Sequence, residues 1–414
     1  MAKFSRSSSR SRPPSLQGFT GAPPYVRPVL DALHRLQDRS VFTPSEGVQQ
    51  ACRLLADRFG EATAPAATGV ARGAAGLLAE HTHYAPGFAL LQPLPFGTAV
   101  ALRPCVSADT QVAFDDTDGR WTLSSETRLP PETPSWVRVV EAVLHRLAPA
   151  SPGLEVAVVT TIPASFRAAY WAALAVALAR ALSGHTPPPD VLTTLQAALE
   201  EVLGRPFSVA YLKAAATVEG SDVTLVDTIT REHLPVPSLP AETLAWAVVE
   251  VETSNVSPST LHRDVDRLDT ALSHLRAGAF TGLTTLRDLE HQDLQRALTL
   301  IPSALRPITR YVIGDNRRVP RMVAALRRQD PQMLGALLLM SHHAARTDAL
   351  ATSHAADAVV EQIQARTAEG LFGAALVDPN GAVLVAGRPY VLPQALDQLT
   401  QDLAPVFTVS STLI

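Results

Sequence analysis

Lysine is almost absent from this chain: of 35 basic residues only Lys3 and Lys213 are lysine, and the rest are arginine. A Walker-type phosphate loop needs a lysine behind a glycine-rich turn, and neither lysine stands in one, so that class is excluded. Schiff-base chemistry has only the same two candidates. Glycine is scarce too, with 22 residues against 33 prolines in a chain of 414, which inverts the usual proportions of roughly 7% and 5%. The two cysteines, Cys52 and Cys105, form neither a disulfide framework nor a zinc cluster, and read as reduced thiols of a cytoplasmic protein. A formal net charge of -4 provides no broad basic face, so no nucleic-acid partner is expected. The longest apolar run, Tyr170 to Ala179, is about half the roughly 20 residues that cross a bilayer. It reads as a buried, alanine-rich helix, and no membrane partner is expected.

What the chain does have is 46% apolar and 18% charged residues, enough for sizeable cores. Residues 1–20 read as a disordered basic tail, with Lys3, Arg6, Arg10 and Arg12 among serines and no apolar segment of a secretory signal. Helical spacing of apolar residues predicts helices at Val29–Leu36 and Gly47–Phe59. Short apolar runs at Phe88–Leu91, Thr98–Leu102, Gln111–Phe114 and Arg120–Leu123, broken by Pro, Gly and Asp, predict an antiparallel set of strands. Helices are expected at Trp136–Leu147, Phe166–Leu182 and Val191–Leu203, with strands at Leu154–Ile162 and Leu244–Glu252 and a hairpin over Thr217–Ile229. Beyond Leu261 the chain reads as helical through Leu275, Asp288–Leu300, Ile308–Leu326 and Gln332–Ala344. A last α/β piece closes it, with a helix over Ala355–Glu369 and strands at Phe372–Val377 and Ala382–Ala386. The fold class is α+β, two-lobed, with mixed sheets packed by helices; the division is 21–215 for the N-terminal domain and 216–414 for the C-terminal one.

One segment is specific. Ala71-Arg72-Gly73-Ala74-Ala75-Gly76-Leu77-Leu78-Ala79-Glu80-His81-Thr82-His83-Tyr84 continues to Gly87-Phe88 and then to Gly97-Thr98-Ala99-Val100-Ala101. It resembles the signature of the galactokinase family in the GHMP kinase superfamily, APGRVNLIGEHTDYN-x-G-F followed by a GT-x-VA strand. Thr253-Ser254-Asn255-Val256, Asp315-Asn316, Asp330, Gly335, and Ser341-His342 with Arg346, Asp348 and Ser353 follow in family order. The resemblance runs from about Phe59 to about Ala386 and implies a GHMP-kinase-like fold.

The same resemblance implies losses. In the family the arginine of APGR and the aspartate of GIMDQ flank the transferred phosphoryl group and the sugar C1 hydroxyl; Ala74 and Tyr211 stand at those positions here. The family's GLSSSAA loop, which holds the triphosphate and Mg²⁺ at a helix N-terminus, is replaced by Pro163-Ala164-Ser165-Phe166-Arg167. That turn has no glycine, and its proline has no N–H to donate. The second glycine-rich loop is replaced by Asp378-Pro379-Asn380-Gly381, a tight hairpin turn. The sugar contacts of EHTD persist in part: Glu80 and His81 match, His83 replaces the aspartate, and Leu261 falls at a family tyrosine.

Two functions are therefore weighed. One is a galactokinase-like protein without phosphoryl transfer, binding galactose or a related sugar through Glu80, His81 and His83 or serving a regulatory role, with neither ATP nor Mg²⁺ expected. The other is a working galactokinase, using both. A kinase with relocated groups such as Asp222 or Asp227 is a third and lesser reading. Glu80-His81-Thr82-His83 and His342-His343 with His354 match no zinc spacing. Asp264, Asp266 and Asp269 with Arg263 and Arg267 read as solvated pairs on a helix, and Arg317, Arg318, Arg321, Arg327 and Arg328 as a solvated basic face.

Overall fold

The computed structural model describes residues 42–414, except for 62–65, 118, 125–128, 131, 150–151, 218–219, 252–257, 350–351, 380, 405–406 and 408 and the side chains of 83, 258–263, 291 and 410. The tail expected at 1–20, the helix expected at Val29–Leu36 and the segment Thr253–Val256 lie outside the described residues.

The first sheet is organised by one long strand. After helix α1 (Pro44–Phe59) come β1 (Ala67–Leu78) and β2 (Phe88–Pro104), antiparallel from Ala67↔Leu102 to Leu78↔Leu90. The opposite edge of β2 takes two strands end to end, β5 (Leu154–Thr160) from Thr98↔Thr160 to Pro104↔Leu154 and β6 (Val223–Asp227) from Phe88↔Asp227 to Leu91↔Thr224. Beyond β5 lie parallel β3 (Thr110–Phe114) and then β4 (Arg120–Leu123), and beyond β6 lies β7 (His233–Val236).

Sequence reading breaks β2 in two at Pro93 and Pro95, whereas the strand runs through. Pairing moves from Arg72↔Gly97 to Ala74↔Pro93, so β2 bulges out over Leu94–Phe96. A bulge is where the ladder needs no proline N–H; the Pro95 carbonyl there accepts the Phe42 N–H at 2.8 Å.

Helices α2 (Ser135–Leu147), α3 (Arg167–Ser183), α4 (Pro189–Leu203) and α5 (Val209–Thr217) cover this sheet. The alanine-rich α3 is buried along nearly its whole length. It approaches β1 so closely that a Cβ at Gly69 would lie 2.0 Å from the Ala177 carbonyl oxygen. The hairpin expected over Thr217–Ile229 is displaced: Ala214–Thr217 end α5, and the hairpin is β6–β7, where the Asp227 carboxylate accepts the Ile229 N–H at 2.9 Å and Arg231 takes a left-handed φ of 62°.

The second sheet has the order β11-β8-β10-β9, every pair antiparallel: β8 (Ala245–Val251), β9 (Leu371–Asp378), β10 (Ala382–Gly387) and β11 (Val409–Leu413). Between β8 and β9 the chain forms α6 (Pro258–Ala277), α7 (Leu294–Leu300), α8 (Arg306–Arg327), α9 (Pro331–Ala344) and α10 (His354–Ala365). The helix expected at Asp288–Leu300 is confined to α7, behind short 3₁₀ turns at Leu286–Asp288 and His291–Asp293. The chain does not close at Ala386: α11 (Leu392–Leu403) and β11 follow, and β11 seals the β8 edge. The basic face on α8 is only partly solvated. Arg318 turns inward to Asp315 at 2.7 Å, and Arg317 donates to the Leu289 carbonyl. Residues Ser40–Ile414 form one compact unit, and among the described residues no helix is long and apolar enough to cross a membrane.

Helix α9 crosses β9 backbone to backbone at Gly335 and Gly373. A Cβ on Gly335 would meet the Phe372 carbonyl oxygen at 2.0 Å, and one on Gly373 the Gly335 oxygen at 2.2 Å. Backbone cannot swing aside as a side chain can, so Gly335→Ala is expected to cost about 1–3 kcal/mol, the usual penalty of overpacking. Urea denaturation should show a lower midpoint at unchanged slope.

Candidate functional site

Strand β1 ends at Leu78, and the chain turns at once through a 3₁₀ turn, Glu80–His83. The turn is pinned on several sides. The Thr82 hydroxyl donates to the Ala79 carbonyl and lies 2.8 Å from the Ser208 hydroxyl, just ahead of α5. Ala85 N–H donates to the His81 carbonyl at 2.9 Å. Downstream, Asn316 of α8 accepts the Phe88 N–H at 2.9 Å, and a Cβ at Gly87 would lie 2.2 Å from that amide oxygen. A side chain at 87 would therefore have to displace the Asn316 amide and break its bond to the Phe88 N–H.

His81 is fully buried. Its Nδ1 stands 3.6 Å from Asp315 Oδ2, and among the described residues neither ring nitrogen has a partner within hydrogen-bond distance. Asp315 also accepts from Arg318 at 2.7 Å and from the Ser341 hydroxyl at 2.8 Å. Burial pushes its carboxyl up, but His81, Arg318 and Ser341 outweigh that and hold it below the usual carboxylate range.

Glu80 faces Tyr211. The phenol, buried on α5, donates to Glu80 Oε1 at 2.9 Å. Its place is prepared by Gly76, where a Cβ would lie 2.6 Å from the Tyr211 oxygen. Desolvation, with the nearby charge of Asp378 and more weakly of Asp315, raises the Glu80 pKa to about 8; the Tyr211 hydrogen bond and Arg205 act in the opposite direction. Burial, then the charges of Glu80 and Asp378, raise the Tyr211 phenol well above its ordinary value. Glu80 thus holds a proton at neutral pH, and Tyr211 is no base. Ala74 is buried in β1 opposite Pro93 and brings only a methyl group.

Asp378, at the end of β9, is 3% exposed. Its Oδ2 accepts the N–H of Ala168, the second residue of α3, at 3.1 Å. The residue at the N-cap position is Phe166, with no side chain able to cap, and its own N–H is used by the Pro163 carbonyl at 3.0 Å. A carboxylate from the second sheet thus serves a helix of the first.

Of the residues singled out in the sequence, Glu80 and His81 share the turn after β1 and Tyr211 bonds to Glu80, whereas Ala74 lies within β1, paired with Pro93. The His83 and Leu261 side chains lie outside the described residues. Sequence reasoning missed Asp378 and Asp315 as members of the same seam. The remaining motif residues tie the fold together: His342 accepts the Leu376 N–H on Nδ1 at 3.3 Å, and its Nε2 lies 3.1 Å from Asp357. Arg310 forms a bidentate pair with Asp348. Among the described residues no group of three or more His, Cys, Asp or Glu could hold a metal ion.

Comparison with known proteins gives a consistent answer. No family model matches the chain. Curated relatives are the galactokinases of Streptomyces coelicolor, 26% identical over 327 residues (76% of this chain, 83% of that one), and of Bos taurus, 27% identical over 347 residues (79% and 84%). Among solved structures, a Lactococcus lactis galactokinase complexed with galactose aligns over 89% of this chain and 97% of its own, with a TM-score of 0.76 at 16% identity. The mevalonate kinase of Methanococcus jannaschii aligns over 84% and 98% with a TM-score of 0.54 at 10% identity.

The raised Glu80 pKa fixes the sign of a pH effect. Below the ordinary carboxylate pKa both folded and unfolded chains hold the proton. From there to about pH 8 only the folded chain does, so stability conferred by this group is lost as pH rises through that window. Glu80→Gln should flatten this part of the profile. Tyr211→Phe, by removing a charge-assisted hydrogen bond of about 1.5–3 kcal/mol, should move the Glu80 titration up by about one to two pH units. Chemical denaturation between about pH 5 and pH 11, read as differences from the unsubstituted protein, checks both shifts.

Proposed function

We propose that this chain, a member of the galactokinase family of the GHMP kinase superfamily, has lost ATP-dependent phosphoryl transfer and retains a role in binding galactose or a related sugar, or in regulation that responds to it. The observation that carries this reading is the Tyr211–Glu80 hydrogen bond. The position that the family resemblance gives to the catalytic aspartate holds a phenol, and that phenol engages the carboxylate meant for the sugar.

Phosphoryl transfer relies on positioning and electrostatic stabilisation. Loss of a general base typically costs ~10²–10⁴ in rate, and loss of one preorganised charge-stabilising donor ~10²–10³. Tyr211 removes the first and Ala74 the second. The residues present do not fit ATP-Mg²⁺ either. The turn into α3 offers Pro163 and no glycine, and the Ala168 N–H already serves Asp378. On this reading neither ATP nor Mg²⁺ is a cofactor.

Sugar binding draws its support from the turn after β1, which carries Glu80 and His81 at the positions the family resemblance gives to its sugar contacts. The aligned Lactococcus lactis galactokinase is complexed with galactose. His83 completes the proposed set. A cytoplasmic location goes with this reading, Cys52 and Cys105 being free thiols. The alternative, a functional galactokinase phosphorylating the C1 hydroxyl of galactose, is favoured by similarity that extends over three quarters or more of the chain.

A coupled assay with galactose and ATP-Mg²⁺ separates the two. The expected outcome is no turnover, a flat thermal shift with ATP-Mg²⁺ and a positive one with galactose. ATP-dependent phosphorylation that disappears in Glu80→Ala would sink the proposal.

A further inference from the structure

A cavity of about 590 Å³ opens along the outer edge of β1, within the range of roughly 300–1,000 Å³ usual for small-molecule sites. It lies away from the candidate site. Arg180, in its wall, stands in the last turn of α3, about 20 Å from the start of that helix at the α-helical rise per residue. One side of the cavity is apolar, formed by Phe42, Pro44 and Val70, and the other carries Arg72, Arg180 and His185. Among the described residues no aspartate or glutamate lines it. Thr43, also in the wall, spends its hydroxyl on the exposed Glu46.

The two arginines are used differently. Arg180 donates to the Val70 carbonyl and, at 2.7 Å, to the Ala216 carbonyl. Alternate residues of an antiparallel strand turn both backbone groups to the same side, so the Val70 N–H lies on that outer edge as well. Arg72 is half-buried and poorly matched. Its Nη1 makes one long hydrogen bond to the Gly220 carbonyl at 3.3 Å, and its Nε is buried with no partner among the described residues. Burial lowers its pKa, and no carboxylate acts to offset that. A guanidinium has five donors and a fixed charge, and a charge taken out of water is costly unless it is paired.

We propose that this cavity binds a small organic acid, whose carboxylate pairs with the Arg72 guanidinium and whose apolar body lies against Phe42, Pro44 and Val70. The guanidinium fork matches carboxylate and phosphate alike, but two features favour the carboxylate. Arg180 spends its donors on backbone carbonyls, which leaves Arg72 to meet a single negative charge, and the facing wall is apolar. The inference is independent of the sugar and nucleotide readings.

The experiment is a fluorine NMR titration of the full chain with para-fluorophenylacetate and with its neutral counterpart, para-fluorophenylacetamide. The acid should bind saturably, more weakly at high salt, and about ten- to a hundredfold tighter than the amide, the equivalent of one charge-assisted hydrogen bond. Arg72→Gln should lose that factor for the acid and leave the amide unchanged. No saturable binding of the acid, equal binding of acid and amide, or unchanged affinity in folded Arg72→Gln overturns the proposal. If Arg72→Gln does not fold, Thr186→Glu decides, since Thr186 is an exposed residue of the same wall. That substitution must weaken binding of the acid and spare the amide; failure of either overturns the proposal. Inorganic phosphate added as competitor should leave the acid bound, and displacement at equal concentration overturns the choice of carboxylate. Failure here is read apart from failure of the proposed function, which is scored on turnover of galactose by the unsubstituted protein.

Discussion

The hydrogen bond from Tyr211 to Glu80 is the contact around which the candidate site is arranged. It joins α5 to the turn that follows β1. The same turn is tied to α8 through His81 and Asp315 and to the segment ahead of α5 through Thr82 and Ser208. The result is a polar seam enclosed by apolar elements. In such surroundings a hydrogen bond is electrostatically stronger than in water, and an unmatched charge is more costly. The seam carries three carboxylates, Glu80, Asp315 and Asp378, and each meets the cost differently. Asp315 is matched by His81, Arg318 and Ser341, Asp378 by a helix terminus, and Glu80 by keeping its proton.

How much of this could be read from the residues depended on how far apart the partners lie. Helix α3 was visible because its apolar run is local and longer than a strand. The β3, β4 and β5 strands were visible because turns flank them. The length of β2 was hidden by Pro93 and Pro95, which signal a break wherever the chain cannot bulge; that it can bulge depends on the β1 pairing opposite. The β6–β7 hairpin was misplaced because Glu-Gly-Ser-Asp is as good a turn signal as the one the chain uses. Glu80 and His81 were found through a contiguous motif, and Tyr211 through its alignment with another. Asp378 escaped because Asp-Pro-Asn-Gly is already complete as a turn, and nothing local calls for a second role. Its partner, Ala168, has no polar side chain to announce it.

Residues that follow in the family's order divide between two places. Glu80 and His81 stay in the seam. His342 and Asp348 serve the scaffold: Asp348 pairs with Arg310, and a buried imidazole joins α9 to β9 through its Nδ1 and faces α10 through its Nε2, with burial lowering its pKa against the upward pull of Asp357. A motif helix is thus held by packing contacts of its own, whatever the chemistry beside it.

Gly76 and Tyr211 are complementary in shape, the bare backbone of one accommodating the phenol of the other. That fit gives the protein a history-dependent cost. Exchanging Tyr211 for a small carboxylate would not simply supply a base: it would empty a space sized for an aromatic ring, at about 3–5 kcal/mol for a buried aromatic, and set a new negative charge beside Glu80. Against a typical total stability of about 5–15 kcal/mol, a single step of that kind takes up a substantial part of the available margin. A carboxylate at this position is thus opposed by stability, and compensation at neighbouring positions would have to come first.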